Sequence, residues 1–211
     1  NGATLVAGTT TVGEEFECGD LESFAATPVV LTQISTVEDP TAAVTRVRGV
    51  SAEGFEVRLQ EEEASNNVHA EEVVGYIAID VGVGTTGDTS FDVALTTDSV
   101  THRTKTIEFG KDFASTPVFI AAMQTTDGGD TATVRYRTLS NDSAKIFVEE
   151  EQSRDRERGH TTEVVGYFAL DAGLINAIGD SGEPPVDPPL DEPTVIDGVL
   201  YGTKGDDGNL D

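Results

Sequence analysis

The chain has 211 residues, and its 13 Lys and Arg against 39 Asp and Glu give a formal net charge of −26 at pH 7. Such a surface repels phosphate backbones and anionic lipid, so nucleic-acid and membrane-surface roles are disfavoured. No apolar run is long enough for membrane insertion. The charge instead favours a high-salt or an extracellular, calcium-rich setting.

An internal repeat organises the chain. The stretch EVVGYIAID at residues 72–80 returns almost unchanged as EVVGYFALD at residues 163–171. Since one such stretch closes each half, we predict two domains, at residues 1–82 and 83–178.

The offset between the copies changes once along the chain. It is 89 residues from Phe24 to Phe113 and 91 residues from His69 to His160. Two residues are therefore inserted in the second copy, in the loop before its histidine.

Apolar and polar residues alternate with a period of two, which is typical of strands with one buried face. Turn residues separate these stretches, and no helical stripe is present. We predict an all-β fold of two tandem antiparallel β-sandwiches. In chain order, the predicted strands lie at residues 3–6, 9–12, 29–34, 44–50, 55–59, 73–79, 90–95 and 104–109, with second-copy counterparts after them.

The end of the chain differs in composition. Residues 179–194 hold five of the eight prolines and several acids, which predicts a stiff, extended linker. Residues 195–211 are predicted to begin another module. Their glycine–aspartate pattern resembles the start of an RTX-type calcium repeat, and the resemblance implies calcium ligands at Asp206, Asp207 and Asp211.

Each copy resembles the H-type lectin domain, a small β-sandwich of sugar-binding proteins. The resemblance rests on Thr27-Pro-Val-Val-Leu31, on residues 46–51 and on the strand through Tyr76. The resemblance implies the sandwich topology and a glycan or polysaccharide as the partner. It also implies a homo-oligomer, because members of the family associate as trimers. The chain has no tryptophan, whereas the family's sugar site uses a Trp–His pair, so the fold transfers and the sugar specificity does not.

Both copies repeat an acidic run, a His-x-x-Glu motif and a tyrosine. Carboxylates and a histidine at a loop mouth could bind a divalent cation or sugar hydroxyls. They could equally be solvated surface groups, with the acidic run on a loop and the histidine beginning the next strand. The predicted ligand-binding residues are Glu62, His69, Glu72, Tyr76, Glu151, His160, Glu163 and Tyr167.

Three further features have structural interpretations. Arg46 and Arg48 point to the same face of a strand, and the second copy repeats the pair as Arg135 and Arg137. We expect these arginines to pair with acids on neighbouring strands, with anion recognition as the alternative. The tyrosines are also expected to pack on a sheet face with the hydroxyl at its rim. The single cysteine, Cys18, is expected to be a small buried or half-buried residue.

The sequence favours a non-catalytic carbohydrate-binding or adhesion module of a larger secreted bacterial protein, with calcium as the expected cofactor. The alternative is a structural spacer or assembly module of an extracellular RTX-type protein or exoenzyme, without a ligand of its own. We do not expect an enzyme, because no enclosing apolar pocket is implied.

Overall fold

A computed structural model describes residues 4–21, 24–66 and 68–173, together with the backbone of two short strands near the end of the chain. The described part is built of antiparallel strands, which confirms the all-β fold class. No helix in that part could span a membrane. The predicted linker at 179–194 and the predicted calcium ligands Asp206, Asp207 and Asp211 lie outside the described residues.

The first copy consists of two three-stranded sheets, with strand orders β1-β6-β3 and β2-β5-β4. Its strands are β1 (Leu5–Val12), β2 (Glu17–Asp20), β3 (Val29–Ile34), β4 (Ala43–Arg48), β5 (Gly54–Glu61) and β6 (Glu72–Ile79). Side chains of β5 alternate between buried and half-buried positions, as the period of two predicts. Buried residues from both sheets, including Val30, Val57, Leu59 and Val74, form one core cluster between them.

The second copy repeats this arrangement and adds one strand. Its sheets have the orders β10-β13-β8-β7 and β11-β12-β9. The strands are β7 (Gly82–Thr86), β8 (Thr89–Leu95), β9 (Lys105–Glu108), β10 (Val118–Met123), β11 (Ala132–Leu139), β12 (Ser143–Glu150) and β13 (Val165–Leu170). Strands β8–β13 thus pair as β1–β6 do, and β7 lengthens one sheet. Strands β14 (Val195–Ile196) and β15 (Val199–Leu200) form a separate pair.

Three expectations about local structure are wrong. The two strand pieces predicted near the start form the single strand β1, paired along its length with β6. His69 lies in the loop before β6 and not at the start of the strand. Cys18 is exposed, because its side chain is on the outward side of β2, where Gly19 is the buried position.

The two copies pack against each other. Val29, Ile79 and Val93 form a small buried cluster between the copies. The Gln124 side chain bonds the free backbone edge of β3, accepting from Val30 N at 2.8 Å and donating to Val30 O at 2.9 Å. Because backbone groups at a buried edge need partners, this amide holds the first copy on the second.

Candidate functional site

In the second copy, a buried histidine joins two carboxylates, and we call Glu150, His160 and Glu163 triad 2. His160 Nδ1 lies 2.8 Å from Glu150 Oε1, and His160 Nε2 lies 3.0 Å from Glu163 Oε1. The three side chains are at most 3% exposed. Glu150 ends β12 and Glu163 lies just before β13, so the histidine ties together the two ends of the connecting loop.

The first copy has the matching cluster of Glu61, His69 and Glu72, which we call triad 1. His69 Nδ1 is 3.3 Å from Glu61 Oε1, and Nε2 is 3.5 Å from Glu72 Oε1. These contacts are longer than those of triad 2, although the side chains are at most 2% exposed. The solvated-loop interpretation is therefore wrong for Glu61 and for its counterpart Glu150.

Glu72 and Glu163, which lie at or just before the last strand of each copy, accept hydrogen bonds from equivalent donors. Glu163 accepts hydrogen bonds from the Thr125 hydroxyl and, at 3.0 Å each, from the N–H groups of Asp127 and Gly128. The donors around Glu72 are the Thr36 hydroxyl and the N–H groups of Glu38 and Asp39. Such donors favour the ionised carboxylate.

The pKa shifts follow from these contacts. Burial disfavours a charged His160, but hydrogen bonds to Glu163 and Glu150 outweigh burial and raise the pKa of His160. Burial also opposes ionisation of Glu163, yet its bonds to His160 and Thr125 lead the effects that lower its pKa. The Thr36 hydroxyl is the main cause that lowers the pKa of Glu72. Triad 2 thus favours an imidazolium between two carboxylates.

Arg46 connects the first copy to triad 2. Its side chain is fully buried, and Nη2 lies 3.6 Å from Glu163 Oε1. Nη1 donates to Asp130 O at 2.6 Å and to Gln60 Oε1 at 2.7 Å, while Nη2 donates to Gly128 O at 3.0 Å. One cation of the first copy therefore offsets buried negative charge in the second, which agrees with the predicted pairing with acids but places the partner in the other copy.

Gly128 gives His160 the space it occupies, so Gly128→Ala is expected to destabilise the protein by about 1–3 kcal/mol. A Cβ at position 128 would lie 2.2 Å from His160 Cε1, which would push the ring off its carboxylates. Urea denaturation measures the loss.

Gly129→Ala is the matched control, because a Cβ at position 129 meets no atom within 4 Å. Its effect should stay within about 0.5 kcal/mol. Equal losses in the two variants would show that backbone freedom, and not the approach of His160, explains the glycine at 128.

The first copy has Asp39 at the position of Gly128, and this gives it a candidate metal centre. Asp39, Glu61 and His69 each offer a ligand atom, all within 4.8 Å of one another. A mixed nitrogen and carboxylate set suits Zn²⁺ or another transition metal better than Ca²⁺, which takes six to eight oxygen ligands. Within the described part of the chain, this set of ligands occurs only in the first copy, because glycine stands at the position of Asp39 in the second.

The remaining predicted ligand-binding residues are distributed between surface and core. Glu62 and Glu151 are half-buried, and Glu151 accepts from Glu63 N at 2.8 Å, across the boundary between the copies. Tyr76 is half-buried, with its ring 5.1 Å from that of Phe55. Tyr167 is 4% exposed, and its hydroxyl donates to Asp92 at 3.1 Å. Both tyrosines pack on a sheet face, as expected, but the expected position of the hydroxyl at the rim is wrong for Tyr167, whose hydroxyl is buried against Asp92.

The arginines at matching positions have different partners. Arg48 pairs with Glu56 at 2.7 Å and Arg135 pairs with Glu149, both at exposed positions. Arg137 lies 4.4 Å over the Phe147 ring, which accounts for an apolar residue on the polar side of β12. The two exposed ion pairs, Arg48–Glu56 and Arg135–Glu149, contribute little stability.

Several residues of the clusters were not predicted from the sequence. Thr36 and Thr125 share the 89-residue offset, so the repeat itself could have identified them. Glu14 and His102 accept from the backbone N–H groups of His69 and His160, at 2.7 and 3.1 Å. Because a glutamate in one copy replaces a histidine in the other, no sequence signal marks this pair.

The chain is similar to halomucin of Haloquadratum walsbyi (strain DSM 16790 / HBSQ001), at 34% identity over 171 residues. The match covers 79% of this chain but only 2% of halomucin. The chain matches no protein-family model, and no solved structure matches it either.

Proposed function

We propose that the chain is a non-catalytic structural module, a rigid acidic unit within a much longer extracellular polypeptide. The observation that carries this proposal is the burial of both triads. Their carboxylates and ring nitrogens bind one another and the adjoining loops, so they serve to hold the β5–β6 and β12–β13 loops. Similarity to a protein named halomucin, of which the match spans 2%, agrees with a small part of a long secreted chain.

Rigidity between the copies also supports a structural role. Arg46, Gln124 and Glu151 each bond across the boundary, and an apolar cluster lies beside them. A boundary with both apolar and charge-assisted contacts resists hinge motion more than a linker does. The two copies should therefore act as one body that sets the spacing of the segments on either side.

Glycan binding is the second candidate function, as the lectin resemblance implies. Among the eight residues predicted for it, Glu62, Tyr76 and Glu151 keep accessible surface, while the other five are buried. A lectin site would therefore be shallow and would depend on these three residues. Calcium binding by the terminal segment likewise remains a prediction.

A glycan array, probed with and without calcium, separates the two functions. We expect signals at background for the wild-type chain and for the Glu62→Gln and Tyr76→Ala variants. The structural proposal would be wrong if the wild type bound a defined glycan and either substitution abolished that binding. Far-ultraviolet circular dichroism of each variant provides the folding control.

A further inference from the structure

The contact between the copies is heterologous, since different surfaces of the two copies meet. The first copy contributes an edge face, formed by Val29 and Leu31 on β3 and by Arg46 on β4. The second copy contributes a receiving face, formed by Phe91, Val93 and Phe168 on β8 and β13 with the caged carboxylate of Glu163 beside them. A heterologous contact between two units leaves one face of each kind unused.

The unused edge face, on the second copy, is exposed and apolar. Val118 is 43% exposed, whereas its counterpart Val29 is fully buried. Tyr136, whose ring packs edge to face on Phe119, is 51% exposed. Ile120, beside them on β10, is 48% exposed. Ile120 and Tyr136 line an open groove.

The cation of the edge face is exposed as well. The side chain of Arg135 is 59% exposed, whereas that of its counterpart Arg46 is fully buried. Arg135 pairs with Glu149 at the surface. Because exposed ion pairs are weak, Arg135 can exchange that partner for another carboxylate at little cost.

The unused receiving face, on the first copy, has the features that the edge face needs. Leu5 and Ile77 occupy the positions of Phe91 and Phe168, and they are 60% and 42% exposed. Glu72, like Glu163, accepts hydrogen bonds from a threonine hydroxyl and two backbone N–H groups. The negative charge of Glu163 is offset by Arg46 from the first copy. Among the described residues, no arginine forms an ion pair with Glu72, the counterpart of Glu163 in triad 1.

We propose that the edge face of the second copy binds the receiving face of the first copy in a second chain. In this contact Val118, Ile120 and Tyr136 cover Leu5 and Ile77, and Arg135 lies against Glu72 and Asp39 as Arg46 lies against Glu163. The proposal rests on the structural function proposed above, because it makes the module a unit of head-to-tail assembly.

Equivalent residues of the two copies support such an arrangement. One open groove of about 400 Å³ is lined by equivalent residues of both copies. The first copy contributes residues 32–34 and 43–45, and the second copy contributes their counterparts at 121–123 and 132–134. Equivalent surfaces of the two copies therefore face the same groove at their boundary. Ser35 replaces Gln124 at the receiving end, so contact between chains should be weaker than contact within a chain.

Sedimentation velocity of the full chain tests the proposal. A net charge of −26 on each chain opposes association, so the experiment uses about 1 M KCl, where the Debye length is about 3 Å. We expect the weight-average sedimentation coefficient to rise with concentration from the micromolar to the submillimolar range. Ile120→Glu and Ile77→Glu should each sediment as a monomer.

Mixing the two variants distinguishes a heterologous contact from other contacts. Ile120→Glu keeps its receiving face and Ile77→Glu keeps its edge face, so an equal mixture should form a heterodimer although neither variant associates alone. Val83→Glu, at a 51% exposed site on β7 outside both faces, is the control and should associate like the wild type.

The proposal is overturned if the wild type stays monomeric throughout the series, if both face variants associate like the wild type, or if their mixture stays monomeric. None of these results bears on glycan binding. A monomer without glycan binding would leave the structural function standing, whereas glycan binding would contradict that function whatever the sedimentation shows.

Discussion

Replacing Arg46 with alanine is expected to lower the free energy of unfolding by about 3–5 kcal/mol, the cost of leaving one partner of a buried ion pair unpaired. Arg46 is the only cation among the described residues that forms an ion pair with Glu163 besides His160. Its loss also removes three hydrogen bonds, to Gln60 and to two carbonyls of the facing loop. Urea denaturation at fixed salt, with dilute protein, measures the effect.

The duplicated chain supplies a matched control for this substitution. Arg135 occupies the equivalent position in the second copy, but its side chain is exposed and pairs with Glu149 at the surface. Arg135→Ala should cost about 0–1 kcal/mol in dilute solution. If both variants lost the same small amount, Arg46 would not be a structural link between the copies.

The strands and the repeat could be predicted from the sequence because both depend on local patterns. Alternation along β5 marks its buried face, and the 89-residue offset places the equivalent strand β12 without further information. Pairing within each copy follows the same order for the same reason. The all-β class was accordingly predicted correctly.

The burial of the charged residues could not be predicted in this way. A run such as Glu61-Glu62-Glu63 is typical of a solvated loop, yet Glu61 is 1% exposed. Its environment depends on His69 and Ser65, which bond it after the loop has folded back. Such partners become visible only when the tertiary structure is known.

The contrast between Arg46 and Arg135 shows a second limit. The two residues have the same type, the same strand position and similar neighbours in sequence. Their environments differ because the first copy has the second copy in front of it, whereas the second copy has no further copy in the described chain. Packing between domains is therefore not contained in the repeat pattern of either domain.

Position 39 and its counterpart at 128 show how one substitution changes a cluster. Glycine at 128 lets the His160 ring approach both carboxylates closely, at 2.8 and 3.0 Å. With aspartate at 39, the His69 contacts are 3.3 and 3.5 Å, and a third carboxylate lies 3.9 Å from Nδ1. The duplicated histidines thus serve a closed ion cluster in one copy and a looser, metal-compatible cluster in the other.

The closed cluster should make stability depend on pH, and His160→Gln is the variant that reveals it. Because the pKa of His160 is raised on folding, its stabilising charge is fully present below the unfolded pKa of about 6.5 and is lost as pH rises through the higher folded value. Glu163 has a lowered pKa, so its contribution is present above about pH 4.3 and is lost as pH falls through the folded value. Both contributions coexist between these limits.

We therefore expect His160→Gln to cost about 3 kcal/mol near pH 5.5, because it removes the cation that Glu150 and Glu163 share and leaves Glu163 with Arg46 alone. The difference from the wild type should shrink as pH rises through the raised pKa of His160, because the wild-type histidine itself becomes neutral. Urea denaturation of both proteins at constant ionic strength, across this pH range, measures the difference.

His69→Gln is the matched control, since the longer contacts of triad 1 predict a smaller loss at pH 5.5. A pH-independent difference between the wild type and His160→Gln would mean that His160 stabilises the fold as a neutral hydrogen-bonding group. In that case triad 2 would hold its loop by geometry alone, and the carboxylates around it would depend on Arg46 for their charge compensation.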